Sequence, residues 1–172
     1  MKSIKKITLI LSLAFMSVNV TAQEKKDLVD IAVSSEAHST LVAAVKAGDL
    51  VETLKSKGPF TFFAPVNEAF SKLPAGTVDY LLKPENKSKL ATVLTYHVVA
   101  GNLDAAAVIA AIKKGNGTTV LTTVAGGKLS ASIVEGKVIL TDEKGGKATV
   151  TATDLKGTNG VIHVIDAVLL PG

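Results

Sequence analysis

The feature that most constrains this chain is a change of character inside residues 58–70, GPFTFFAPVNEAF. Phe60, Thr61, Phe62, Phe63 and Ala64 are β-prone and lie between Gly-Pro and Ala-Pro. Pro65 keeps Ala64 extended, because a proline disfavours the α region for the residue before it. Asn67 is a favoured helix N-cap type, and Glu68 sits where the positive end of a helix dipole welcomes an acid. The spacing predicts a strand ending at Pro65 and a helix from Asn67, with Phe70 and Leu73 on one face and Pro74 as a stop. Four of the chain's five phenylalanines lie in this stretch. Along the strand they alternate so that both faces are covered. That pattern reads as core packing, not as an aromatic platform for sugar or nucleic acid.

What precedes and follows this junction differs in kind. Leu28, Ile31 and Ala32, then Leu41, Ala44 and Val45, then Leu50, Val51 and Leu54 recur at helical spacing. Ser39 and Thr40 are candidate caps for the second helix, and Gly48 and Gly58 are stop signals. Residues 77–82 and 87–94 continue the helical pattern, residues 95–101 (TYHVVAG) turn β-like, and residues 104–113 form an alanine-rich helix. From Thr118 the chain becomes Val/Thr-rich strands, punctuated by Gly126-Gly127, Glu135-Gly136 and Gly145-Gly146. The last strand runs through Gly160, His163 and Asp166. Helices first and antiparallel strands later indicate an α+β fold with a β-sandwich or half-barrel.

The N-terminus reads as a signal peptide of bacterial style, residues 1–22. Lys2, Lys5 and Lys6 form a basic start, residues 7–18 are mostly apolar, and Val20-Thr21-Ala22 forms a cleavage site. The expected mature chain is one domain, residues 23–172, without an integral membrane span and secreted to the periplasm or the cell surface. Removing the three leader lysines leaves 16 basic against 15 acidic residues. Every basic residue is lysine; there is no arginine and no cysteine. Nucleic acid, which favours arginine for bidentate contacts, is therefore not an expected partner. Disulfides and thiol chemistry are excluded, so stability must come from a hydrophobic core.

Catalytic and metal motifs are not readable. His38, His97 and His163 show no metal-ligand spacing, and no Gly-x-Ser-x-Gly elbow or phosphate loop occurs. Asp154 and Asp166 flank the last loop, but nothing in the sequence pairs them. No cofactor, metal or catalytic residue is assigned. His38 precedes a helix and is expected at the surface. Asn159-Gly160 reads as a turn into the last strand.

Three blocks now resemble one known family. Gly58-Pro59-Phe60-Thr61 with Phe63-Ala64-Pro65, Asn67 and Phe70 is similar to the first motif of the fasciclin domain, also called FAS1. Tyr96-His97 matches its central Tyr-His motif. Asn159-Gly160, Ile162-His163, Ile165-Asp166 and Pro171 match its last motif. The resemblance covers the chain from about Lys26 to its end. It implies a β-sandwich or wedge of roughly seven strands flanked by several helices. It also implies an adhesion role with cell-surface, matrix or polysaccharide partners, with room for weak self-association.

In animal members the Tyr-His segment and its apolar flanks are implicated in integrin binding. Carried over, the partner-binding candidates are Tyr96, His97 and the flanks Val93, Leu94, Val98 and Val99. A chain without arginine has no Arg-Gly-Asp motif, and the acidic motif of animal members near the last block is missing here. The alternative is that Tyr96 and His97 hydrogen-bond across the fold and hold a helix against the sheet. Three function classes stay open. An adhesion module predicts an exposed patch, a carrier or sensor of small apolar ligands predicts a closed apolar cavity, and a hydrolase predicts a cleft with a perturbed histidine or carboxylate.

Overall fold

The computed structural model describes residues 25–172; the signal-peptide reading of residues 1–22 lies outside the described residues. The elements run α1 (Leu28–Val33), α2 (Ser39–Ala47), α3 (Val51–Lys55), β1 (Phe60–Pro65), α4 (Asn67–Ser71), α5 (Thr77–Leu82), α6 (Lys87–Tyr96), β2 (Val98–Ala100) and α7 (Ala105–Lys114). Then come β3 (Thr118–Thr122), β4 (Lys128–Val134), β5 (Lys137–Thr141), β6 (Lys147–Gly157) and β7 (Gly160–Ile165). The α+β reading, with its helices concentrated in the N-terminal half, is what the structure shows.

The seven strands form one sheet in the order β2-β1-β7-β6-β5-β4-β3. β1 and β7 are parallel, and the other neighbours are antiparallel. The sheet curls until its two edges touch. Val99 of β2 bridges Thr123 beyond the end of β3, and the Val124 N–H donates to the Val98 carbonyl at 2.7 Å. The result is a nearly closed wedge with little exposed strand edge.

Strand β1 divides the core. Phe62 and Ala64 face α1, α2, α3 and α6, where they pack with Leu28, Leu41, Leu54, Leu94 and Ile162. Phe63 points the other way, into the wedge, against Tyr96, Leu129, Leu140, Ile165 and Leu169. Period-two alternation thus serves two apolar layers from one strand. Val108 and Ile112 of α7 belong to the second layer. Thr61 is fully buried; its hydroxyl donates to the Gly101 carbonyl and accepts the Leu103 N–H, each at 2.8 Å.

The structure corrects several local expectations. Asn67 does not cap its own helix. Its Oδ1 accepts the Thr40 N–H at 3.0 Å, and its Nδ2 donates to the Glu36 carbonyl at 2.9 Å. It therefore caps α2 from outside, which is why Ser39 and Thr40 make no side-chain cap there. Thr95 and Tyr96 belong to the end of α6 and are not strand. The β preference of Thr, Tyr and Val is weaker than the packing of Leu90, Val93 and Leu94. His38 is buried, not surface, at 5% exposure. It terminates a short turn (Glu36–His38) beneath α1, so its ring enters the core.

Phe62 is 2% exposed. Phe62→Ala should lower the unfolding free energy by about 3–5 kcal/mol in urea denaturation. A loss under about 1 kcal/mol would show that the helical layer does not depend on it.

Candidate functional site

Tyr96 and His97 sit where α6 ends and β2 begins. Both are interior, at 0% and 1% exposure. The Tyr96 hydroxyl donates to the Lys128 carbonyl at 2.7 Å and accepts the Glu143 N–H at 3.2 Å. Its ring passes so close to Gly127 that a Cβ there would stand 2.5 Å from the ring. The second glycine of the Gly126-Gly127 pair is therefore set by the tyrosine and not only by the turn. Burial pushes the Tyr96 phenol above its ordinary value.

His97 is held at both ring nitrogens by backbone. Nδ1 lies 2.8 Å from the Val93 carbonyl, which can only accept, so Nδ1 carries the proton. Nε2 accepts the Leu169 N–H at 3.0 Å. The ring is thus the neutral Nδ1–H tautomer, and a second proton would face an N–H donor. Burial accordingly lowers its pKa to about 4, with the Val93 carbonyl and the charge of Asp142 offsetting a part. The His97 carbonyl also accepts the Phe63 N–H at 2.9 Å. One residue ties α6, β1 and the C-terminal segment.

His163 holds the opposite tautomer. Its Nε2 lies 2.7 Å from the Leu103 carbonyl, and its Nδ1 faces the Asp154 N–H at 3.4 Å. The ring stacks on Phe63 at 5.6 Å between centroids. His38 hydrogen-bonds Ser35 through Nδ1, and its Nε2 is buried without a partner. Burial lowers its pKa; the Ala64 backbone offsets a part without reaching hydrogen-bond geometry. Among the described residues no group of His, Asp or Glu could hold a metal ion.

The remaining motif residues connect elements. Asn159 accepts the Leu28 N–H at 3.1 Å and donates to the Leu54 and Ser56 carbonyls at 2.6 and 3.1 Å, joining α1 and α3 to the start of β7. A Cβ on Gly160 would collide with the Phe60 carbonyl, so the parallel β1–β7 contact requires glycine there. Asp166 accepts the Thr149 N–H at 2.7 Å. Asp154 accepts the Ala105 N–H at 2.9 Å, so the two carboxylates serve separate elements. Phe70 packs half-buried against the helical layer. Leu94, Val98 and Val99 are each 3% exposed, and Val93 is 9% exposed. A partner on the folded surface therefore meets almost nothing of the Tyr-His segment. Sequence reasoning missed Asp142, whose Oδ2 accepts the Leu170 N–H at 3.0 Å and helps seat the segment that His97 binds. The turn it occupies was readable; its long-range partner was not.

The fasciclin domain family model matches residues 36–171. The chain belongs to the fasciclin family. It is 52% identical over 144 residues to protein sll1483 of Synechocystis sp., covering 84% of this chain and 73% of that protein. It is 37% identical over 152 residues to immunogenic protein MPB70 of Mycobacterium bovis, covering 85% of this chain and 70% of that protein. The fold matches a solved fasciclin domain pair from the insect cell adhesion molecule fasciclin I with a TM-score of 0.61 at 24% identity. That match covers 76% of this chain and 43% of the other. This likeness is one of fold.

The His97 geometry sets a pH dependence for this fasciclin domain. The unfolded histidine takes up its proton near 6.5 and the folded one near 4. Between these values the unfolded state binds more protons, so stability is complete above about pH 6.5 and is lost as pH falls toward 4. The loss should be on the order of 3 kcal/mol, with buried His38 adding in the same direction. Urea titrations across this window should show the slope, and His97→Gln should flatten it. An equal slope in the variant would place the proton uptake elsewhere. Tyr96→Phe removes one hydroxyl from two backbone partners and should cost about 1–3 kcal/mol by the same measurement, with no cost contradicting the anchoring role.

Proposed function

We propose that this fasciclin protein is a non-enzymatic, secreted interaction module that binds cell-surface, matrix or polysaccharide partners. Fasciclin domains form a family of adhesion and interaction modules, and one solved relative is named as a cell adhesion molecule. The observation that carries the reading is the fate of the motif side chains. Tyr96, His97 and His163 are buried, and their polar atoms are engaged by backbone groups of the same chain. Side chains closed off in this way have no access to a substrate.

The Tyr-His segment then serves recognition indirectly, by fixing α6 and β2, while the contact is made on the outside. Placement in the periplasm or at the cell surface rests on the leader at residues 1–22. Among the described residues no helix is long and apolar enough to cross a membrane.

The carrier reading calls for a closed apolar cavity. An apolar pocket between α1, α2, α3 and β1 is lined by Val29, Leu41, Val45, Leu54 and Phe62 and has a volume of about 50 Å³. An engineered cavity that holds benzene has roughly 150 Å³. The pocket is too small for a cargo molecule, and the interaction reading is preferred.

The test is a binding screen of the purified protein on immobilised envelope, purified polysaccharides and whole cells, with Tyr96→Phe in parallel. Saturable binding that folded Tyr96→Phe retains is the expected result. Binding lost in the folded variant would make the Tyr-His segment itself the contact. Absence of binding to every surface would overturn the interaction reading.

A further inference from the structure

The outward face of β3, β4, β5 and the start of β6 is left to solvent, and its chemistry is one-sided. Strand register fixes which residues share it. Val120 lies opposite Ser130, Ser130 opposite Thr141, and Thr141 opposite Lys147. The next rung runs Thr118, Ser132, Ile139 and Thr149. Alternate residues of each strand, Leu121, Leu129, Ala131 and Leu140, are buried on the inner side. The outer rungs are exposed or half-buried. Adjacent strands stand about 4.8 Å apart, so the Ser and Thr hydroxyls form a close array.

Charge on this face has one sign. Lys128, Lys137 and Lys147 point outward from it, and β3, β4, β5 and residues 147–149 contain no aspartate or glutamate. Among the described residues every lysine–carboxylate pair uses Lys55, Lys72, Lys83 or Lys87. None uses the three lysines of the sheet face. Carboxylates in the adjoining turns are mostly engaged. Asp142 accepts the Lys144, Gly146 and Leu170 N–H groups, and Glu143 accepts those of Lys128 and Gly172. Glu135 in the β4–β5 turn and Glu143 in the β5–β6 turn are both exposed, at the two ends of the face.

We propose that this face is the binding surface and that its partner is an acidic polysaccharide. The inference rests on the interaction-module reading and gives it a place and a chemistry. Ammonium groups that make no ion pair complement carboxylate or sulfate on the polymer, and the hydroxyl array supplies donors and acceptors to sugar hydroxyls. An anionic bilayer fits less well. Interfacial binding uses large apolar anchors, and the freely exposed apolar side chains here are the valines Val120 and Val134. Nucleic acid fits less well again, since the face has neither arginine nor an aromatic ring.

The experiment uses the purified protein with immobilised alginate, with neutral dextran and with phosphatidylglycerol vesicles, at about 0.05 M and about 0.5 M salt. Lys128→Gln/Lys137→Gln/Lys147→Gln is compared with Lys46→Gln/Lys57→Gln/Lys83→Gln, which removes equal charge from other surfaces. The expected result is salt-sensitive binding to alginate, weakened about tenfold or more by the sheet-face triple and nearly unchanged by the control. Equal loss in both triples, preference for dextran, or preference for vesicles overturns the proposal. Binding to other envelope components regardless of the sheet-face triple overturns it too, while leaving the interaction-module reading standing. Failure to bind any surface overturns both.

Discussion

The hydrogen bonds of one imidazole organise this domain. His97 donates through Nδ1 to Val93 one turn back in α6, and accepts through Nε2 from Leu169, 72 residues on in the chain. Its own carbonyl takes the Phe63 N–H of β1. A helix end, the first strand and the C-terminal segment thus meet at one buried ring. Tyr96 repeats the device one residue earlier, reaching Lys128 and Glu143 at the β3–β4 and β5–β6 turns. Within low-dielectric surroundings such bonds gain strength, and a missing partner is costly. The pair therefore fixes the relation between the helical half and the strand half.

This placement explains why the wedge can close. β2 and β3 are the two edges of the sheet, and Tyr96-His97 immediately precedes β2. With α6 fastened to the turns of the later strands, Val98 and Val99 are delivered to Val124 and Thr123. Closure turns one side of β3–β6 inward as core and leaves the other side outward, with its lysines and hydroxyls. The polar chemistry that looks functional in the sequence is thereby spent inside. The same division accounts for β1, whose phenylalanines fill two layers at once.

What was legible in the sequence is what local chemistry decides. Pro65 ended β1, and Glu135-Gly136 made a turn with both residues at positive φ, 51° and 77°. The alanine-rich helix read over residues 104–113 is α7, one residue shorter at its start, where Asp104 accepts the Ala107 N–H as a cap. What was not legible depends on partners far along the chain. Asn67 has the composition of a cap for its own helix, yet it caps α2, 27 residues away. Asn159 looked like turn chemistry alone, yet its amide also reaches Leu28, 131 residues away. His38 has a polar side chain before a helix, and it is buried beside Ala32 of α1 and, from farther along the chain, Ala64 of β1 and Ile162 of β7. That Tyr96 and His97 hydrogen-bond across the fold was open to the sequence, but their partners were not, because a sequence does not show which groups satisfy a buried ring.

The central claim is that His97 is a neutral, internally committed ring. The most direct measurement is the nitrogen NMR spectrum of the histidine side chains near neutral pH, assigned with single His→Gln variants. The account gives His97 as the Nδ1–H tautomer and His163 as the Nε2–H tautomer, each fixed and not averaged. A His97 ring averaging between tautomers, or charged near pH 6.5, would contradict it and return the Tyr-His segment to the list of exposed contact sites.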